Sequence, residues 1–390
     1  MRYLTAFAAT ILFAGCALAQ NFNDRPPNAP NQTPAFENQT RAPALRALRL
    51  RREAVVEGLE HPWGMAQLPD GSWLVTERPG RLRMVSPDGT LSDPIPGLPE
   101  VDTESQGGLL DVAVADDFAQ TRRVWVTYAE RTPENFTSTS VASGILSRDG
   151  ARIEDARRIW QQTPWPAAAH YGSRLVFDND GGLFVTTGDR GGLDSRHEAQ
   201  KLNTTVGKVV RIDPMTGEPM GAGIEGAMPE IWSWGHRNMQ GAALSPDGHL
   251  WTIEHGPAGG DELNRPEPGK NYGWPDVTYG EEYDGNPILE GLTQKEGTEQ
   301  PVYYWDPVIA PGGMVFYDGA MFPDWQGDLL IGGLQSSSLV RLELEENRVT
   351  GEARHLQNIG RVRDVDVAQD GAIMLLTDEQ NGTLFRVTGR

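Results

Sequence analysis

The residues best suited to chemistry stand together in AAAHYGSRLVFDNDGGLFVTTGDRG, which begins at Ala167. An imidazole changes charge near neutral pH, and a carboxylate on one ring nitrogen makes the other a directed proton acceptor. His170 and Asp189 bracket two apolar runs, 175–177 and 183–187, separated by the turn signal Asp178-Asn179-Asp180-Gly181. A turn centred between Asn179 and Asp180 pairs residues whose numbers sum to 359, which sets His170 opposite Asp189. Directly opposed residues of antiparallel strands have Cβ atoms about 4.5–5.5 Å apart, close enough for the carboxylate to orient the ring. Two readings stand: a plain residue at the mouth of a hairpin, or a catalytic base. A bulge in so glycine-rich a turn shifts the register by one.

A second dense stretch is SWGHRNMQGAALSPDGHLWTIEHGPAGGDELN, 233–264. Arg237 and Asn238 precede one strand pattern, and Glu254-His255-Gly256-Pro257 follow the next, so a hairpin brings both clusters to one sheet edge. For any single residue the plain reading is a capped, salt-bridged loop. Gathering Arg, Asn, Gly-Pro, Asp261 and Glu262 on one edge weakens it. Loop carbonyls such as those of Gly256 and Pro257 suit Ca²⁺, which takes oxygen ligands. In GRVRDVDVAQDG, Arg361 and Arg363 are two apart in a strand pattern and share a face. Buried, they imply a polycarboxylate or phosphate ligand; exposed, they imply nothing. Asp364 and Asp366 fall on the opposite face. Gln106, in SQGGLLDVAV, also precedes a strand and can face the same channel.

These residues need elements to hold them. A turn followed by a short β run ending in polar residues recurs six times, with runs beginning near 73, 124, 183, 250, 329 and 373. The spacing of about 60 exceeds that of a compact repeat, and leaves room for long insertions between strands. Six hairpin units without a long helical pattern predict an all-β, six-bladed β-propeller, its long inter-strand loops forming the active-site face. A β-sandwich is the structural alternative. The longest insertion, roughly 257–314, is a candidate wall of the pocket.

The chain has 390 residues, with 45 Gly, 28 Pro and a formal charge of −20. That suits a turn-rich β protein and argues against nucleic acid or an anionic membrane surface as partner. MRYLTAFAATILFAGCALAQ predicts a secretory signal peptide over 1–19, and no later segment has the length and apolarity of a membrane span. Cleavage after Ala19 leaves a periplasmic or secreted chain without cysteine, since Cys16 is the only one. The alternative is a lipoprotein anchored through acylated Cys16. Residues 20–45, rich in Asn and Pro and without periodicity, predict a disordered linker, with the propeller over 46–390. Gly221-Ala222-Gly223-Ile224-Glu225-Gly226 matches a dinucleotide fingerprint by letter only, since it neither follows a strand nor opens a helix.

Taken together, QGGLLDVA, HYGSRLVF…TTGDRG, GHRNMQG, EHGPAGGDELN, KNYGWP and RVRDV resemble the soluble aldose sugar dehydrogenases of the glucose/sorbosone dehydrogenase family, which use pyrroloquinoline quinone (PQQ). The resemblance runs over about 58–387. It implies a six-bladed propeller that oxidises an aldose at its anomeric carbon to a lactone, with hydride passing to the quinone. On that resemblance, His170 is the general base, Asp189 orients it, and Arg237 stabilises the developing oxyanion. Gln106, Arg237, Asn238, Tyr283, Gln335, Arg361 and Arg363 contact PQQ, the two last gripping its carboxylates. The carbonyls of Gly256 and Pro257 hold a catalytic Ca²⁺, while Glu262 and Tyr272 match a second, structural Ca²⁺ site. One departure is that GGLQSSSL offers Gln335 where the better-known glucose enzymes carry a lysine. The electron acceptor is left unidentified. Two rival readings are a Ca²⁺-dependent sugar lactonase, which needs side-chain carboxylates around a central metal, and a non-catalytic propeller that binds a glycan or protein.

Overall fold

The computed structural model describes residues 22–389; the signal-peptide and Cys16 readings lie outside them. The described chain forms six sheets, as the six repeats imply, antiparallel except where Lys270–Asn271 joins Ile231–Trp234 in parallel. Their first strands are Pro62–Gln67, Leu109–Ala113, Gly172–Phe177, Met239–Leu244, Pro311–Phe316 and Val362–Val367. Each packs on the first strand of the next sheet, and the last returns to the first, which closes a ring around a central channel. All six repeats found in the sequence are second strands: Trp73–Glu77, Arg123–Arg131, Leu183–Thr187, Leu250–Glu254, Leu329–Gly333 and Ile373–Thr377. Five of these six are buried throughout or almost throughout, as expected of strands covered on both faces by neighbouring blades.

Between blades lie the apolar cores. Trp251, Ile253, Leu263 and Tyr303 of the fourth blade pack against Met314, Leu329 and Ile331 of the fifth. No single blade can bury its faces alone, so the ring must close. Closure is by the N-terminal strand Leu50–Leu59, which pairs antiparallel with Gly382–Gly389 and completes the sixth sheet. No helix among the described residues is long and apolar enough to cross a membrane.

Two expectations change. The hairpin register is not 359 along its main length: Phe177 pairs with Leu183, Val176 with Phe184 and Leu175 with Val185, so the numbers sum to 360. The cause is a five-residue turn, closed by Asp178 N–H to Gly182 C=O at 3.0 Å with Gly181 at φ +82°. A bulge between Val185 and Thr187 then takes up one residue, and Gly172 pairs with Thr187 at a sum of 359. Beyond that bulge His170 and Asp189 face one another.

The second change concerns 20–45. Its described part is no disordered linker but a strap on the fourth and fifth blades, with Ala42 and Gln39 fully buried. Asp306 accepts from the backbone N–H of Asn28 and of Ala29, while Gln39 C=O accepts from Tyr304 N–H at 2.8 Å. Arg348 covers Phe36 and Arg354 covers Phe22. Polar bonds and isolated aromatic contacts hold it, so it carries no apolar period to read.

Candidate active site

The entries to the first strands and the exits of the second strands meet at one end of the channel, around a cavity of about 290 Å³. His170 sits just before its strand with φ +45°, and Asp189 just after the next. Gly188 allows the approach: a Cβ there would lie 2.0 Å from the His170 carbonyl oxygen. Gln106 Oε1 accepts from His170 N–H at 2.8 Å, which ties the second blade to the third.

His170 Nδ1 lies 2.6 Å from Asp189 Oδ1. An ionised carboxylate only accepts, so Nδ1 carries the proton and Nε2 keeps its lone pair. Burial lowers the His170 pKa, and the charges of Arg237 and Arg190 act in the same direction against Asp189. Burial works to raise Asp189, yet His170, Arg237 and the Gly191 N–H outweigh it and hold the carboxyl below its usual range. The imidazole is therefore neutral and basic at neutral pH, and the carboxylate ionised.

Arg237 is placed from three sides. Glu254 Oε2 accepts from its backbone N–H at 2.5 Å, and its own carbonyl accepts from Asp189 N–H at 2.7 Å. Its Nη1 donates to the carbonyls of His255 and Gly256, both at 2.9 Å. Asn238 lines the cavity, its Oδ1 accepting from Gly172 N–H at 3.2 Å. Arg361 and Arg363 both line it too, but differ in setting: Arg361 is exposed and Arg363 buried. Arg363 Nη2 donates to Asp378 Oδ2 at 2.9 Å, so a carboxylate the sequence reading lacked half-neutralises the pair. Tyr283 stands at the mouth, 80 % exposed.

Two predicted contacts are not in the cavity wall. Gln335 is exposed in the turn that follows Leu329–Gly333, and Leu334, the first residue of that turn, lines the cavity instead. Pro257 packs its ring toward Gly280, leaving Gly256 as the lining residue. Arg78, Trp63, Gln240, His255 and Asp378 line the cavity without having been singled out.

The lining fits a polycarboxylate. Arg78, Arg237, Arg361 and Arg363 face one carboxylate, Asp378, and the Nε atoms of Arg237 and Arg363 are buried without an acceptor. For a metal, no cluster of three or more His, Cys, Asp or Glu side chains occurs among the described residues, so an ion in the cavity must use carbonyls and ligand oxygens. Gly256 C=O is there, shared with Arg237. Glu262 is a half-buried carboxyl whose pKa desolvation and the facing Glu254 raise well above normal, and Asn264 Oδ1 beside it is buried without a partner. Such a site suits a hard cation. The Tyr272 hydroxyl is already engaged, donating to Arg265 C=O at 2.6 Å and accepting from Glu267 N–H.

The protein is thus a closed propeller with a histidine–aspartate pair opening on an arginine-lined cavity at one end of its channel. The chain belongs to the glucose/sorbosone dehydrogenase family, whose model, Glucose / Sorbosone dehydrogenase, matches residues 59–386. It is 42% identical over 346 residues to the aldose sugar dehydrogenase YliI of Escherichia coli K12, covering 87% of this chain and 92% of that protein. The apo crystal structure of the soluble aldose sugar dehydrogenase of Escherichia coli superposes with a TM-score of 0.83 at 41% identity, over 88% of this chain and 100% of the other. The PQQ-bound aldose sugar dehydrogenase of Streptomyces coelicolor gives a TM-score of 0.71 at 25% identity, over 89% and 99%.

Proposed function

We propose that this protein oxidises aldose sugars at the anomeric carbon to lactones, as a PQQ- and Ca²⁺-dependent dehydrogenase. One observation carries the reading: the His170 Nδ1–Asp189 Oδ1 contact of 2.6 Å opens on a cavity whose charged wall is mainly guanidinium. His170 Nε2 takes the proton from the sugar's anomeric hydroxyl, a role worth about 10²–10⁴-fold in rate. Asp189 keeps the ring in the tautomer that can accept and stabilises the imidazolium that results. Arg237, fixed by Glu254 and by the 255–256 carbonyls, offers its charge to the oxygen that becomes negative. Arg361, Arg363 and Arg78 would bind the cofactor's carboxylates, with Asn238 as a hydrogen-bonding partner, Gln106 bracing His170 from the wall and Tyr283 at the entrance. The Gly256 carbonyl, and that of Pro257 behind it, would hold a catalytic Ca²⁺, and Glu262 with the Tyr272 backbone a structural one. When bound, PQQ supplies a quinone that accepts hydride, and Ca²⁺ polarises it as a Lewis acid.

The lactonase alternative asks for carboxylates converging on a central metal. In the cavity wall Asp378 is the single one among the described residues, and it is committed to Arg363. A binding-only propeller gives the His170–Asp189 pair no task. The charged, then apolar, then small-residue N-terminus supports export to the periplasm, with acylation of Cys16 as the alternative. The test is to load the apoprotein with PQQ and Ca²⁺ and follow dye reduction with several aldoses. Sugar-dependent reduction is expected, and its absence at saturating cofactor overturns the reading.

A further inference from the structure

Asp189 has a second oxygen, and what holds it lies on another blade's insertion. Trp274 Nε1 donates to Asp189 Oδ2 at 2.8 Å, in a setting where both side chains are buried. The same indole lies under Arg237, whose Cζ is 5.2 Å from the ring centroid, and near Arg196 at 5.8 Å. Trp274 is itself fixed: its N–H donates to Gly235 C=O at 2.9 Å and its carbonyl accepts from Gln200 Nε2 at 2.7 Å. Ala199 and Ile288 pack around it. It therefore touches the base's carboxylate with its edge and the oxyanion arginine with its face.

We propose that Trp274 is a positioning residue that holds Asp189 to His170 through a single oxygen and couples that pair to Arg237. A carboxylate in this buried place has few ways to be satisfied. Oδ1 accepts from His170 and from Gly191 N–H at 2.9 Å; Oδ2 accepts from Trp274. Without the indole N–H, Oδ2 is a buried acceptor left unpaired, and the carboxylate's charge falls more heavily on the imidazole. The ring is then held in its protonated form to higher pH, where it cannot take a proton from substrate. The charged and titratable groups facing His170 are Asp189, Arg237, Arg190 and, across the cavity, His255; Trp274 touches Asp189 with its N–H and Arg237 with its face, and only the first contact depends on the N–H.

The inference rests on the proposed base role of His170 only for its kinetic arm. In the cofactor-free protein, the His170 ring is titrated by NMR in the wild type and in Trp274→Phe, which keeps an aromatic face for Arg237 and removes the N–H. The His170 pKa is expected to rise by about one unit in the variant. In the loaded enzyme the acid limb of kcat/KM should move up by the same amount, while PQQ affinity stays within about twofold. If Trp274→Phe disturbs folding, benzothienylalanine at position 274 keeps the shape of the indole and lacks its donor. A His170 titration that does not move in either variant overturns the proposal. A wild-type enzyme that fails to oxidise sugars overturns the functional reading instead, and leaves the titration result standing.

Discussion

Arg363 donates to Asp378 at 2.9 Å while Arg361, two residues earlier, lines the same cavity without such a carboxylate partner. The two arginines are therefore unequal. Burial lowers the Arg363 pKa, and Asp378, despite its own burial, is held below the usual carboxylate range by Arg363. Changing Asp378→Asn keeps an acceptor for Arg363 and adds one net positive charge to the cavity. Affinity for PQQ should tighten by about threefold to tenfold at low salt, measured by fluorescence titration. Arg363→Ala should do the reverse and lower stability, since it leaves the buried Asp378 with His61 at 3.2 Å as its remaining side-chain partner. Unchanged affinity in both variants would separate the arginines from the ligand.

Buried imidazoles work against the fold as pH falls, in a window set by their lowered pKa values. Burial, with help from Arg363, pushes His255 down to about 3 from an ordinary 6.5. Burial likewise takes His355 to about 4, and lowers His170. Below about 6.5 the unfolded chain protonates these rings and the native chain does not, so their contribution to stability falls as pH drops through that range. Asp189, lowered in the native state, adds a further loss as pH falls through its native pKa below 3.8. Other buried carboxyls act in the opposite sense, burial raising Asp261 and Asp366 to about 7, so the imidazole effect is read by comparison. Relative to the wild type, His255→Gln should gain stability as pH falls from about 6.5 to about 4, with a difference in slope of about one proton in urea unfolding. Activity should fall on the acid side with the lowered pKa of His170, not at the value of a free histidine.

The six repeats mark much of this site by their strand ends. The residue following each second strand is Arg78, Thr132, Gly188, His255, Leu334 or Asp378, and four of the six line the cavity. The residue preceding each first strand is His61, Gly108, Tyr171, Asn238, Ala310 or Arg361, and again four line it. Aligning the six hairpins by their strand ends therefore points to Arg78 and Asp378 without any motif. Gln335 misses by one position, since the residue that directly follows the strand is Leu334. Trp274 had no such route: it reaches Asp189 from the 257–314 insertion, and no repeat or period fixes where an insertion folds. The 359 register placed the pair for the wrong reason, because a turn one residue longer and a bulge cancel.

Gly188 is the place where backbone shape and chemistry meet most tightly. A methyl group there would lie 2.0 Å from the His170 carbonyl oxygen and 3.1 Å from Asn238 Oδ1. Neither neighbour is a free flexible end, so the 170 segment must shift. Gly188→Ala should lower kcat by about 10²-fold through misplacement of the base, with a smaller change in PQQ affinity. A variant with near-normal kcat would show that His170 tolerates displacement and is not positioned by this contact.

The N-terminal strap makes the final prediction. Ala42 and Gln39 are fully buried, Asp306 is capped by the backbone of Asn28 and Ala29, and Tyr303 Oη accepts from Ala42 N–H at 3.1 Å. Asp306 is thereby satisfied although burial raises its pKa. A chain beginning at Arg46 loses these donors and uncovers the outer edge of the fourth blade, where Tyr303 and Trp305 are now buried. Stability should fall by several kcal/mol, roughly the sum of two or three unpaired buried polar groups and the uncovered aromatic area. The cavity lies at the channel end and takes no lining residue from 22–45, so turnover at low temperature should be retained. Thermal unfolding and rate measurements on the shortened chain read the two effects apart. A shortened chain with an unchanged melting temperature would mean that the strap rests on the propeller without stabilising it.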